Sequence, residues 1–229
     1  NNDDLKFFTD NKLVSPDKCS LLPGSGVDTN KFNSFAVKKH DSFKFLMVSR
    51  LLRDKGIYEY IEAAKLLNRS DIEFWILGES PSAHKTAISN EEIYKLSSHG
   101  IIKYFKRTDN VKSFLDKVDC VVLPSYREGC PRSILEASAV GLPVIVSDVP
   151  GCRQVVDNNI TGLYCKVKDF HDLARKMEEI LKMSKNERQK MGQMGRQKML
   201  DHFDESIVLD RYGQKVADLF NKDKSYRKD

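Results

Sequence analysis

The sequence lacks several things, and each absence excludes something. Its five cysteines (Cys19, Cys120, Cys130, Cys152 and Cys165) form no CxxC pair and are odd in number, so they read as free thiols in a reducing cytoplasm. Its histidines are scattered, with no HxxH or HExxH, and no built-in metal site is expected. No apolar run approaches the roughly 20 residues that span a bilayer, and the opening does not read as a secretory signal. The net charge of +5 comes without a dense Lys/Arg block. That mild excess suits a small anionic ligand and speaks against nucleic acid as a partner. No Ser/Gly-rich linker divides the 229 residues, which suffice for one large domain with a real core. The first residues, "NNDDLKFFTD", without an initiator methionine, read as the inside of a longer polypeptide.

What is present, from Phe43 onward, is an alternation of short apolar runs and amphipathic stretches. "FKFLMVS" (Phe43–Ser49) and "IEFWIL" (Ile72–Leu77) read as buried strands, followed by "IIKYF" (Ile101–Phe105), "CVVLPS" (Cys120–Ser125) and "PVIVSD". Between the first two, Ile57, Ile61, Ala64 and Leu67 fall on one helical face; further helices are expected around Glu91–Ser98 and Val111–Lys117. Continuous apolar strands, each separated by a helix, predict an α/β fold: a doubly wound, Rossmann-like parallel sheet covered on both faces. After Gly162 the pattern turns helical. Phe170, Leu173, Met177 and Ile180 form one stripe, and Met191 to Phe220 predicts two more helices as a C-terminal tail, with Met191 and Met199 as core plugs.

The segment "REGCPRSILEASAVGLPVIVSD" is the densest in chemistry. Pro131 suits a first helical position, where its missing N–H costs nothing. Gly141 suits a left-handed cap, and Pro143 forbids continuation. The expected helix therefore runs from Pro131 to about Val140 and leaves Glu128 on the preceding loop. The N–H groups near Arg132, Ser133 and Ile134 point out of the helix start toward any anion. Glu136 lies about 6 Å along the axis from Arg132 at ~1.5 Å per residue, and its side chain leans back toward the start. A diphosphate at the helix tip and a ribose one turn along would be met together, because a carboxylate accepts two hydroxyl hydrogen bonds. Taken alone, each glutamate also reads as a solvated or capping residue. A pair of glycosidase carboxylates is disfavoured by their origin in one loop and one helix.

"PSYREGCPRSILEASAVGLPVIVSDVPGCRQVV" resembles the donor-site signature of the retaining glycosyltransferases of family 4, which have the GT-B fold. The hallmark is a Glu, seven residues, and a second Glu, met here by Glu128 and Glu136. "LPGSGVDTNKF" (Leu22–Phe32) and "FLMVSRLLRDKGIYEYIEAAKLL" resemble further segments of the same family in the same order. The resemblance implies that residues 1–229 are the C-terminal, donor-binding half of a GT-B enzyme whose N-terminal acceptor domain is not in this chain. It implies transfer of a sugar from a nucleotide-diphosphate sugar, UDP favoured, to a glycan or lipid-linked acceptor, in the cytoplasm or at the inner face of a membrane. It gives Glu136 to the ribose hydroxyls, Glu128 to the donor sugar, and Arg50 and Lys55 to the diphosphate. The backbone at Gly129, Cys130 and Pro131, and at Ser133 and Ile134, approaches sugar and diphosphate. With those cations present no metal and no separate cofactor is expected, since fixed charge stabilises a leaving phosphate where charge develops.

Two positions depart from the family: Gly78-Glu79-Ser80 replaces its Gly-x-Gly, and Lys106 stands where a glycine is common. Two other classes were weighed. A Rossmann oxidoreductase would need G-x-G-x-x-G after the first strand, and "GSGVDT" precedes it and lacks the third glycine. A non-catalytic nucleotide-binding module of the same fold remains open.

Overall fold

In a computed structural model, which describes residues 1–33, 41–81, 84–98 and 100–226, the architecture grows outward from one strand. β1 (Phe43–Val48) is apolar except at Lys44, and Phe45, Leu46 and Met47 have no exposed surface. A strand covered on both faces has no polar side to alternate, so its apolar run is continuous. β2 (Ile72–Gly78) and β4 (Cys120–Leu123) flank it, with Leu46 in register with Trp75 on one side and Val121 on the other. β3 (Lys103–Lys106) lies outside β2, and β5 (Val144–Ser147) and β6 (Gly162–Cys165) lie outside β4. Every pairing is parallel and the order is β3-β2-β1-β4-β5-β6. This is the expected doubly wound, Rossmann-like sheet. The chain reverses its direction of travel between β1 and β4, where such sheets bind ligands at their carboxyl ends.

The helices are α1 (Asn2–Asp10), α2 (Ile57–Leu67), α3 (Asn90–Ser98), α4 (Lys112–Leu115), α5 (Arg132–Ala139), α6 (Pro150–Val155), α7 (Phe170–Lys182), α8 (Lys185–His202) and α9 (Glu205–Tyr226). The expected face of α2 is buried at Ile57, Ile61, Ala64 and Leu67, and α2 packs against α7. On α7 the stripe of Leu173, Met177 and Ile180 is buried. Met191 and Met199 of α8 fill the core as expected, and α8 packs on α5. α9 is anchored toward its start, where the Glu205 N–H donates to the Val27 carbonyl, Val208 is buried and Arg211 Nη1 donates to the Leu21 carbonyl at 3.4 Å. Leu209, Tyr212, Val216 and Phe220, at helical spacing beyond Val208, are all exposed.

Several boundaries differ from expectation. β3 starts at Lys103 rather than Ile101, because its ladder with β2 begins at the Trp75–Lys103 pair. β6 and α6 were not expected. "GLYC" is short and opens on glycine, so it does not stand out as a strand, yet it pairs with β5 from Val144–Gly162 to Ser147–Cys165. Pro150-Gly151 reads as a turn but opens a helix, with Pro150 in the first turn where its missing N–H is harmless. Pro131 is the N-cap of α5 with extended backbone (φ −74°, ψ 107°), one position before the helix it was expected to begin. Gly141 does take the left-handed conformation, at φ +80°. All five cysteines are free, and among the described residues no helix is long and apolar enough to cross a membrane.

One glycine sets how closely the loops after β1 and β4 approach. Gly56 has φ +79°, and a Cβ there would lie 2.2 Å from the Pro124 carbonyl oxygen. Gly56→Ala should therefore cost about 1–3 kcal/mol, the range for forcing extra volume into a packed contact, read as a lowered urea midpoint at unchanged slope. A wild-type midpoint would show that the loops can separate freely.

Candidate functional site

At the carboxyl ends of β1 and β2, beside the first turns of α5, a cavity of about 470 Å³ opens. Its wall includes Arg50, Glu79, Arg107, Arg132, Ser133 and Glu136, with Val48, Leu77 and Val111 as apolar floor. Of the residues singled out from sequence, the fold thus brings Arg50, Ser133 and Glu136 to one cavity from two elements more than eighty positions apart.

Glu136 is 8% exposed, in the middle of α5, and Arg132 one turn earlier donates from Nε to its Oε1 at 3.0 Å. Burial raises the Glu136 carboxyl above the usual carboxylate range, and the nearby charges of Arg132 and Lys31 only partly offset this. At the tip of the helix the Ile134 N–H donates to the Pro131 carbonyl at 3.0 Å. This corrects the expected set of donors: Ile134 is occupied and its side chain fully buried, which leaves Arg132 and Ser133 as the first-turn residues whose N–H groups have no partner in the helix's own ladder.

Glu128 and Lys55 form the second pair. Lys55 Nζ lies 2.6 Å from Glu128 Oε1, with the two side chains 19% and 10% exposed. They meet beside the cavity rather than in its wall. Around them the β4–α5 loop is lashed to the segment after β1. The Tyr126 N–H donates to the Asp54 carbonyl at 2.8 Å, Ser125 Oγ lies 3.1 Å from the same carbonyl, and the Tyr126 hydroxyl donates to Glu59 at 2.6 Å. Lys168 stands over the Tyr126 ring, 4.8 Å from its centroid. From below, α6 approaches so closely that a Cβ on Gly151 would lie 2.2 Å from the Glu128 carbonyl oxygen. From the outside, Asn1 Nδ2 donates to the Gly129 carbonyl at 3.3 Å. Cys130 Sγ is 3.8 Å from the Pro23 carbonyl, and burial pushes its thiol up to about 11. Cys130 therefore faces the amino-terminal segment, and only its backbone is available to a ligand.

Sequence reasoning missed Glu79 and Arg107, which bridge the rim at 3.0 Å, and the side chain of Arg132. The signal was there: polar residues directly after β2 and β3 lie at the carboxyl end of the sheet, where ligands bind. Among the described residues no three of His, Cys, Asp and Glu gather as candidate metal ligands.

Two expectations follow. In a double-mutant cycle, Lys55→Met and Glu128→Gln should show a coupling of roughly 0.5–3 kcal/mol, because either change alone strands a poorly solvated charge; additive losses in urea titration would dissolve the pair. Separately, the raised Glu136 carboxyl means that the unfolded chain, near 4.5, loses its proton first as pH rises. Folding is then penalised as pH climbs through the unfolded value toward the folded one, and the penalty is complete above the latter. Glu136→Gln should stabilise the protein at pH 7 and leave its stability unchanged below pH 4. Equal effects at both pH values would contradict this.

The sequence matches the family model described as glycosyl transferases group 1 over residues 28–198. It is 30% identical over 220 residues to the N,N'-diacetylbacillosaminyl-diphospho-undecaprenol alpha-1,3-N-acetylgalactosaminyltransferase of Campylobacter jejuni, covering 90% of this chain and 56% of that protein. It is also 30% identical over 210 residues to the UDP-Gal:alpha-D-GlcNAc-diphosphoundecaprenol alpha-1,3-galactosyltransferase of Escherichia coli, covering 83% and 54%. A solved glycosyltransferase of Rickettsia africae shares the fold, with a TM-score of 0.81 at 20% identity over 94% of this chain and 60% of that one. The chain spans about half the length of the curated relatives it matches. Because the family match runs over most of the chain, this protein belongs to the glycosyl transferases group 1 family.

Proposed function

We propose that this chain is the donor-binding, C-terminal half of a retaining family 4 glycosyltransferase, moving a sugar from a UDP-sugar to a glycan or lipid-linked acceptor. The observation that carries the reading is the cavity whose lining brings together the buried Glu136, Arg132 and Ser133 at the start of α5, and Arg50. A carboxylate suits vicinal ribose hydroxyls, and a helix start beside a cation suits a diphosphate. Breaking the glycosyl–phosphate bond leaves negative charge on the nucleotide. Arg50, Lys55 and the helix start stabilise that charge as it develops. Glu128, on the loop beside them, is assigned to the donor sugar, with the backbone of Gly129, Cys130 and Pro131 lining its approach.

The names of the two bacterial relatives support the choice of substrates: both include a diphospho-undecaprenol acceptor, and one includes UDP-Gal. An acceptor domain on the same polypeptide is supported by the half-length match and by the exposed apolar stripe of α9. On this reading the enzyme works in the cytoplasm, at the inner face of the membrane that holds a lipid-linked acceptor, and needs no metal ion.

Calorimetry with UDP tests the assignment. Binding is expected in the presence of EDTA, weakened by about 1–3 kcal/mol in Glu136→Ala, the range for a lost hydrogen bond to a charged group. Glu128→Ala should spare UDP affinity and reduce sugar transfer by the longer polypeptide. Binding abolished by chelation would end the metal-free reading, and the two phenotypes exchanged would reverse the roles of the glutamates.

A further inference from the structure

Arg132 stands at the first position of α5 and lines the same cavity as Arg50, Ser133 and Glu136. Its side chain is 71% exposed, yet it is not splayed into solvent: Nε is committed to Glu136 Oε1 at 3.0 Å. The hydrogen bond uses one of the five guanidinium N–H donors. Nη1 and Nη2 make none among the described residues, and neither does Glu136 Oε2. The pair therefore presents an open carboxylate oxygen and an open pair of guanidinium nitrogens side by side on one cavity wall.

The geometry points to Arg132 as a positioning residue of the donor site, holding the Glu136 carboxylate ionised and oriented as the acceptor of a nucleoside's vicinal hydroxyls. The inference rests on the ribose role given to Glu136 above and goes beyond it, since neither the Glu-x7-Glu resemblance nor the family match assigns a role to the Arg132 side chain. A carboxylate this deeply buried pays a desolvation cost that favours its neutral form, and a neutral carboxyl is a poorer acceptor for two hydroxyls. Several charged groups face Glu136. Arg132 lies on its own helix, Lys31 on the amino-terminal segment, Arg50 after β1, and the Glu79–Arg107 pair across the cavity. Of these only Arg132 is in hydrogen-bond contact with the carboxylate. The i, i+4 spacing on a rigid helix fixes the direction of that contact, so it orients the carboxylate as well as charging it.

The test compares UDP with 2′-deoxy-UDP, which lacks one hydroxyl of the diol, in calorimetric titrations from pH 4 to pH 8, with GDP and dGDP run in parallel. The wild-type protein should prefer the ribo form by about tenfold, the order expected for one hydrogen bond to a charged group, and lose the preference as pH falls through the Glu136 titration. Removing Arg132 removes an influence that lowers the Glu136 carboxyl, so in Arg132→Gln that loss should set in at a higher pH. Arg132→Lys, which keeps the charge, should restore most of the wild-type profile. A side chain that contributed only to folding would change stability without moving this midpoint. An Arg132→Gln profile coincident with that of the wild type would overturn the inference. If instead Glu136→Ala, which removes the acceptor, kept the ribo preference intact, the ribose assignment itself would fall, and the role of Arg132 with it.

Discussion

The Pro124 carbonyl oxygen approaches Gly56 so closely that no side chain fits between them, and the groups of the site depend on that approach. It joins the loops after β1 and β4, the two neighbouring strands from which the chain winds in opposite directions. Lys55 is the residue before Gly56, and Glu128 lies four residues beyond Pro124, so the tie brings the two charges within 2.6 Å. The hydrogen bonds of Ser125 and Tyr126 to the Asp54 carbonyl repeat the tie directly beside it. A parallel sheet leaves such loops unsupported by any hairpin, so their mutual position must be fixed by contacts of this kind.

Two carboxylates are then held by two cations, Glu128 by Lys55 and Glu136 by Arg132. Both carboxylates are nearly out of solvent, and an unpaired charge at either place would be costly. A nucleoside diphosphate linked to a sugar carries the complement of this arrangement. Under the proposed function, its phosphates draw on the cations and its hydroxyls on the carboxylates, which matches both charge pairs. Arg50, exposed and at the cavity wall, adds a cation that no carboxylate of the described ion pairs neutralises. The local excess suits an anionic ligand far better than the small net charge of the whole chain reveals.

Much of this was legible in the sequence for a definite reason. Strands such as "FKFLMV" announce themselves because burial on both faces forbids polar residues, and the helical stripe of α2 follows from one-sided burial. Glu128 and Glu136 were legible because a proline and a glycine bracket the helix that carries Glu136 and leave Glu128 on the loop before it. β6 was hidden because four residues opening on glycine carry no periodicity of their own; its strand state comes from pairing with β5. Pro150-Gly151 carried a turn signal, and the glycine is required there by the approach of the Glu128 carbonyl, a tertiary fact. The Lys55–Glu128 contact joins residues 73 positions apart. No local rule could have paired them.

The exposed Glu79–Arg107 pair of the cavity lining differs in kind from the buried Glu136. Glu79 and Arg107 occupy the region where the chain departs from the family pattern, one at Gly78-Glu79-Ser80 and the other directly after Lys106. They bridge at 3.0 Å with more than half of each side chain in solvent. Such a pair is screened and held weakly, so it can open or re-form around a ligand at little cost. Glu136 has no such freedom, because it sits within a packed helix with α8 behind it. Under the proposed function, the ribose common to such donors meets the rigid Glu136, and the part of the ligand that reaches Glu79 and Arg107 meets side chains that adapt, where this chain departs from the family pattern.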